Sequence, residues 1–303
     1  MPRIYLMIKL KTLSRTLVQL LALLLCAGPT GAQTPSPRPR IGLVLTVLVL
    51  LMALSAGWLF PRDPLSLAGR PLQWPGDNAR FWLGTDNSGR DIAAQIFHGA
   101  RVSLLIGATA TAIALVIGTG IGALAGYYGG WVDDVLMRVT EFFQAVPAFI
   151  LAVVIVAIFT PSLPSIVGAI AVVSWPPVAR VVRAEVLSLR TREFVQAARV
   201  LGRSHPSILL RDILPNALSP ILVLASLMVA SAILLEAALS FVGLGDPNLM
   251  SWGYMIGAGR SVMRLAWWMS VFPGVAIFMT VLALNLVGEG LTDALNPRMA
   301  RRR

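Results

Sequence analysis

The sequence predicts an all-α, polytopic membrane protein with six transmembrane helices, and two observations carry that prediction. Of 303 residues, 56% are hydrophobic and only 13% are charged, where an ordinary globular domain carries about 25% charged residues. The charges are also spaced for spanning: Arg40 to Arg62 encloses 21 uncharged residues, Arg101 to Asp133 31, Glu141 to Arg180 38, Asp212 to Glu236 23 and Arg264 to Glu289 24. Each is long enough to cross a bilayer, which takes roughly 20 apolar residues in a helix.

Residues 1–40 form a basic leader, with Arg3, Lys9, Lys11 and Arg15 ahead of the apolar run Leu17–Ala27. The small residues Gly31-Ala32-Gln33 after that run also fit a signal-like segment, and an over-extended start fits equally. The need of the next span for a basic inner flank, met by Arg38 and Arg40, favours a cytoplasmic leader. The first span is expected over 41–60, ended by Pro61, which denies a helix its backbone donor. Residues 61–101, rich in Gly, Pro and Asp, are expected to form an extracytoplasmic loop. A five-helix core over 102–290 follows. Its spans are expected at about 102–127, 135–160, 165–181, 217–242 and 268–290, with Pro161 and Pro164 dividing the 38-residue stretch. A basic loop over 178–216 and a basic tail over 291–303 complete the chain.

This arrangement places 18 Lys and Arg residues on the N-terminal side of the membrane and seven on the other, so both termini are expected in the cytoplasm. The same distribution explains the net charge of +11 without nucleic acid, because the basic residues sit between apolar spans and not on one soluble face. A single cysteine, Cys26, excludes an intramolecular disulfide, and two histidines, His98 and His205, are too few for a four-ligand zinc site built from protein side chains alone. No Gly-Lys pair occurs, so a phosphate-binding GxxxxGK[ST] loop is absent. Any ATP used must be bound by another chain.

Within the basic loop, Glu193-Phe-Val-Gln-Ala197-Ala198-Arg-Val-Leu-Gly202 favours a short helix ended by a left-handed glycine. Ser204 and Pro206 can begin a second helix before Leu214-Pro215. Such a knob is a surface through which force could enter, although composition alone also fits a loop that only sets topology. Gly118, Gly122 and Gly126 recur every four residues and allow close helix packing. Glu236 is the one acid well inside a span, where a buried carboxylate needs a partner. Trp267 and Trp268 are expected to anchor the outer membrane interface.

The Glu193–Pro215 segment resembles the EAA loop of bacterial ABC-importer permeases, and Leu83-Gly84-Thr85-Asp86-Asn-Ser-Gly89-Arg90-Asp91 resembles the LGTDxxGRD signature of the dipeptide, oligopeptide and nickel group. Three further blocks are similar: Gly126-Tyr-Tyr-Gly-Gly-Trp-Val-Asp-Asp, Leu239-Ser-Phe-Val-Gly-Leu-Gly245 and Asn285-Leu-Val-Gly-Glu-Gly-Leu-Thr-Asp-Ala-Leu-Asn-Pro297. The resemblance implies a type I ABC importer permease fold in a bacterial inner membrane. It implies a second homologous permease, two ATPase subunits that bind ATP and Mg, and an extracytoplasmic solute-binding protein as partners, beside membrane lipid. Glu193, Ala197, Ala198, Gly202, Leu214 and Pro215 would couple to the ATPase, and this chain would carry no catalytic residue, cofactor or metal. Asp212 departs from the histidine of many relatives. Peptides, glutathione or chelated nickel would be the cargo. An ion-gradient-driven transporter or channel is the alternative, with Glu236 nearly alone as an acid well inside a span.

Overall fold

A computed structural model describes residues 38–295 as helices joined by loops, the longest of them between Leu59 and Ile92. Residues 1–37 of the leader and 296–303 of the basic tail lie outside the described residues. Helix α1 (Arg38–Leu59) precedes an irregular segment, and α2 (Ile92–Tyr128) is 37 residues long. Then come α3 (Gly130–Ala145), α4 (Ala148–Phe159) and α5 (Leu163–Leu189). A surface knob follows, made of α6 (Glu193–Val200), the single turn α7 (His205–Ser207) and a widened turn over Ile208–Ile213, which runs into α8 (Leu214–Leu239). The last helices are α9 (Trp252–Gly259) and α10 (Trp268–Leu295).

Three elements differ from the sequence expectation. Helix α5 runs on to Leu189, through the first part of the loop expected over 178–216, because Val182 and Val186 are buried with Ala123 and Tyr127 of α2. Helix α2 begins at Ile92 and not near Val102, because Asp91 caps it by accepting from the Ala93 amide at 2.9 Å. Its polar first turns are helical since their side chains bond to neighbouring segments: Gln95 to Asp86, His98 to the Phe60 carbonyl, and Arg101 to the Ala53 and Leu54 carbonyls of α1. The span expected over 135–160 is instead the pair α3 and α4, bent by 84°. Pro147 drives the break, for it disfavours helical geometry at the residue before it and Val146 is extended (φ −92°, ψ 131°). Among the described residues, five helices are long and apolar enough to cross a membrane, or six if the bent pair counts as one.

Helices α2 and α5 run side by side in the same direction, and glycine makes this possible. A Cβ at Gly118 would meet Val178, one at Gly122 would collide with the Ala179 carbonyl, and one at Gly126 would lie 2.8 Å from the Arg183 carbonyl. The recurring glycines are therefore a seam within this chain. Helix α8 packs antiparallel on α2, with Val229 and Ile233 against Gly107, while α10 lies along α1, with Leu286 against Gly42. At the α2 N-terminal end the largest buried side chains are Trp252 and Trp268. Trp268 overturns one expectation: it does not sit at a membrane interface but is fully buried, its Nε1 donating to the Thr85 carbonyl at 3.1 Å.

Gly122→Ala should therefore lower thermal stability in mild detergent by about 1–3 kcal/mol through overpacking. Gly120→Ala, whose added methyl meets nothing within 4 Å, should leave it unchanged or raise it slightly.

Candidate functional site

The knob is built on an amphipathic helix. In α6, Val195 and Ala198 are buried against Val186, Ile208, Leu209 and Ile213, whereas Glu193 and Ala197 face outward. The two neighbouring alanines thus do different work, one packing the knob onto the helices and one presented on its surface. Gly202 ends α6 with φ +74° and has open space around it, so a side chain there would be disfavoured by backbone strain and not by crowding. Leu214 is half-buried and Pro215 exposed where the widened turn runs on into α8.

Sequence reasoning missed the knob's most exposed apolar groups. Val200 and Leu201 are 87% and 80% exposed, with Phe194 and Leu210 partly so. The signal was present in the adjacent pair Val200-Leu201 just ahead of Gly202. Asp212 has a definite role here: both its oxygens accept from Arg203 at 2.8 Å, tying the loop after Gly202 to the turn that leads into α8.

The signature loop at the other end of α2 is a folded plug. Thr85, fully buried, donates from Oγ1 to the Arg70 carbonyl (2.6 Å) and accepts there from the Gln73 amide (2.9 Å). Asp86 is also buried; its Oδ1 accepts from the Ser88 and Arg90 amides and its Oδ2 from Gln95, all at 2.8 Å. Gly84 and Gly89 both hold φ +81°, and a Cβ at Gly89 would collide with the Gly69 carbonyl. Arg90 thus bonds to Asp86 through its backbone amide, and its guanidinium forms no ion pair with Asp86 or Asp91. Burial pushes the Asp91 carboxyl above its usual value, against the opposing pull of the Ala93 and Ala94 amides and Arg80.

Glu236 is 1% exposed, near the C-terminal end of α8. Its Oε1 accepts from Ser240 (2.8 Å) and from Ser251 (2.7 Å), the residue that caps α9. Gly253 on α9 is close enough that a Cβ would lie 3.0 Å from both carboxyl oxygens. The carboxyl therefore fastens α9 to α8. The knob and the signature loop stand at opposite ends of α2, about 55 Å apart at 1.5 Å per residue, and Glu236 lies toward the signature-loop end. The structure does not bring the three into one site.

Residues 118–301 match the family described as binding-protein-dependent transport system inner membrane component. The chain belongs to this family. Such a permease is a multi-pass inner-membrane component of an ABC transporter and leaves ATP hydrolysis to partner subunits. Among its relatives, the permease is 41% identical over 264 residues to the di/tripeptide transport system permease protein DppC of Pseudomonas aeruginosa, covering 85% of this chain and 87% of that protein. It is 42% identical over 260 residues to the dipeptide transport system permease protein DppC of Alkalihalophilus pseudofirmus (86% and 85% covered). It is 39% identical over 266 residues to the glutathione transport system permease protein GsiD of Pectobacterium atrosepticum (86% and 88% covered). In fold it is similar to a chain of the inward-facing MetNI methionine ABC transporter, with a TM-score of 0.56 and 19% identity over 67% of this chain and 96% of that one. Family membership sets aside the ion-gradient alternative.

The signature loop and the Glu236 contact predict separate stability effects. Asp91→Ala should cost about 1 kcal/mol of thermal stability in detergent and Asp91→Asn much less, since asparagine also caps. Because the Asp91 carboxyl is raised on folding, its contribution is greatest below its unfolded value and is lost as pH rises through the folded one. Asp91→Asn should flatten that part of a stability-versus-pH curve. Glu236→Ala should cost about 1–3 kcal/mol by stranding two serine hydroxyls, and Glu236→Gln, which keeps an acceptor, should recover most of it in the same thermal assay.

Proposed function

We propose that this permease forms the translocation pathway of an ABC importer for di- and oligopeptides or similar small solutes, glutathione and chelated nickel included, together with a second, homologous permease. Two ATPase subunits act on the knob from the cytoplasm, and an extracytoplasmic solute-binding protein delivers the cargo. The names of the relatives support peptides and glutathione as cargo, and nickel rests on the resemblance of the LGTD-like block alone.

The observation that carries the docking role is the exposed pair Val200 and Leu201 beside Glu193 and Ala197. Two adjacent aliphatic side chains on a polar surface helix gain about 1.5–3 kcal/mol each when a partner covers them fully. Glu193, Ala197 and Gly202 would sit in that contact, with Ala198, Leu214 and Pro215 setting the knob's seat on the helices. The orientation follows from charge: of the seven arginines of 178–216, Arg190, Arg192, Arg199, Arg203 and Arg211 lie in or beside the knob and Arg180 and Arg183 in the last turns of α5, and 18 basic residues against seven favour that side as cytoplasmic, with both termini inside. Gly84, Thr85, Asp86, Gly89, Arg90 and Asp91 then form a structural plug on the extracytoplasmic side, next to the surface on which the binding protein would land.

Co-expression of the tagged permease with the transporter's other subunits tests this reading. The wild-type chain should retain the P-loop subunits in mild detergent, and Leu201→Asp should release them without loss of membrane insertion. Gly202→Arg should insert normally yet abolish uptake. Wild-type uptake by an inserted Gly202→Arg permease, or full retention of ATPase subunits by Leu201→Asp, would overturn the docking role.

A further inference from the structure

The knob is covalently joined to α5 and α8, because the chain enters it from Leu189 and leaves it at Leu214. Helix α2 has no such link, and its C-terminal end nevertheless meets the knob through side chains. Tyr127 is 5% exposed and packs in the same apolar cluster as Val195, Ala198, Ile208 and Ile213. Its hydroxyl is hydrogen-bonded to Nδ1 of His205, in the first turn of α7, at 2.8 Å. The Arg199 guanidinium stands 6.0 Å over the Tyr127 ring. From the end of α5, Arg190 donates to the Gly126 carbonyl at 3.0 Å and reaches the Tyr127 carbonyl at 3.4 Å. These are carbonyls at a helix C-terminus, which lack helical partners and favour a cation.

The geometry points to Tyr127 and His205 as a strut that locks the knob to α2, so that displacement of the knob moves α2 together with α5. Both are positioning residues for coupling. Without the strut, a push on the knob would reach α5 and α8 through the chain but would let α2 lag, although the glycine seam holds α2 and α5 in contact along Gly118, Gly122 and Gly126. The hydroxyl is the decisive group. The ring fills the apolar cluster, whereas the oxygen makes the single directed bond that fixes α7 relative to the α2 terminus. This inference rests on the docking role proposed above.

The test uses the assembled complex, reconstituted in vesicles with its binding protein, a radiolabelled dipeptide as probe and ATP inside. Tyr127→Phe keeps the ring and removes only the bond, and His205→Ala removes it from the other side. Both variants should retain the ATPase subunits and hydrolyse ATP, while peptide taken up per ATP falls about fivefold, the weight of one ordinary hydrogen bond. The double variant should be no worse than either single one. His205→Asn, which can place an amide group where Nδ1 stood, should restore most of the ratio, a recovery that general destabilisation would not show. Spin labels at Leu124, exposed near the C-terminal end of α2, and at Arg211, introduced as cysteines in a Cys26→Ser background, give a readout independent of cargo. Their separation should stay fixed between nucleotide-free and ATP-bound complexes and broaden in Tyr127→Phe. A wild-type uptake-to-ATP ratio in both single variants would overturn the strut and leave docking intact. Loss of the ATPase subunits from Tyr127→Phe would overturn it too, by assigning the pair to docking. Failure of the wild-type chain to hold ATPase subunits would overturn both.

Discussion

The close approach of α2 and α5 is the constraint on which the rest of the permease depends. Two helix backbones can run together only where no side chain separates them, and Gly118, Gly122 and Gly126 clear that line against Val178, Ala179 and Arg183. Between apolar helices in lipid there is no hydrophobic gain from association, so dense packing of this kind must supply the attraction. The seam brings the ends of α2 and α5 together, and that juxtaposition lets Arg190 reach the last carbonyls of α2 and Tyr127 reach the knob. A knob seated on one helix would be a mobile loop. Seated on two, with α8 leaving from beneath it, it is a part of the helical framework that can be pushed.

Polar groups at the other end obey the same logic with different chemistry. The signature loop has few apolar side chains and holds its shape by saturating its backbone: Thr85 and Asp86 between them bond five neighbouring groups with their side chains. Trp268 then uses its indole N–H to fasten the start of α10 to this loop, and Trp252 does the same between α9 and the Ile96 carbonyl of α2. Glu236 adds a third fastening through Ser240 and Ser251. A buried polar group without partners is costly, so these groups give the end of the bundle one specific arrangement. In the proposed assembly, a fixed arrangement there and a knob that partner subunits push at the opposite end would let motion applied on one side alter access on the other.

In the proposed assembly, the residues of the EAA-like segment divide by the direction they face. Glu193, Ala197, Val200 and Leu201 are presented outward, whereas Val195 and Ala198 hold the helix to the bundle. The conformational role of Gly202 is separate again, since its positive φ turns the chain between α6 and α7. Arg203 and Asp212 close the loop that this turn opens. A single short motif therefore contains a contact surface, a seat and a hinge point.

Much of this was legible in the sequence because it depends on local chemistry. Uncharged stretches marked the spans, the glycine repeat marked a close packing line, and Gly202 marked the end of α6. The EAA-like and LGTD-like blocks marked the family. Two of the differences share a cause: a polar side chain is buried where a neighbouring segment supplies its hydrogen-bond partner. Ile92 to Arg101 looked like loop, yet it is helix because Asp86, Phe60 and α1 accept its polar side chains. Trp268 looked like an interface anchor, yet Thr85 buries it. Pro147 lies inside the span expected over 135–160, yet its geometry breaks the helix, and only the packing of α3 on α5, through Asp133 with Arg183 and Gln144 with Arg180, shows where the bent piece goes. The sequence alone determined composition, span count to within one bent pair, and family motifs, because those reside in neighbouring residues. Which helix lies beside α2, which alanine of the pair faces outward, and that Tyr127 meets His205 across 78 residues of chain were decided by tertiary structure, because each depends on a partner that no local pattern names.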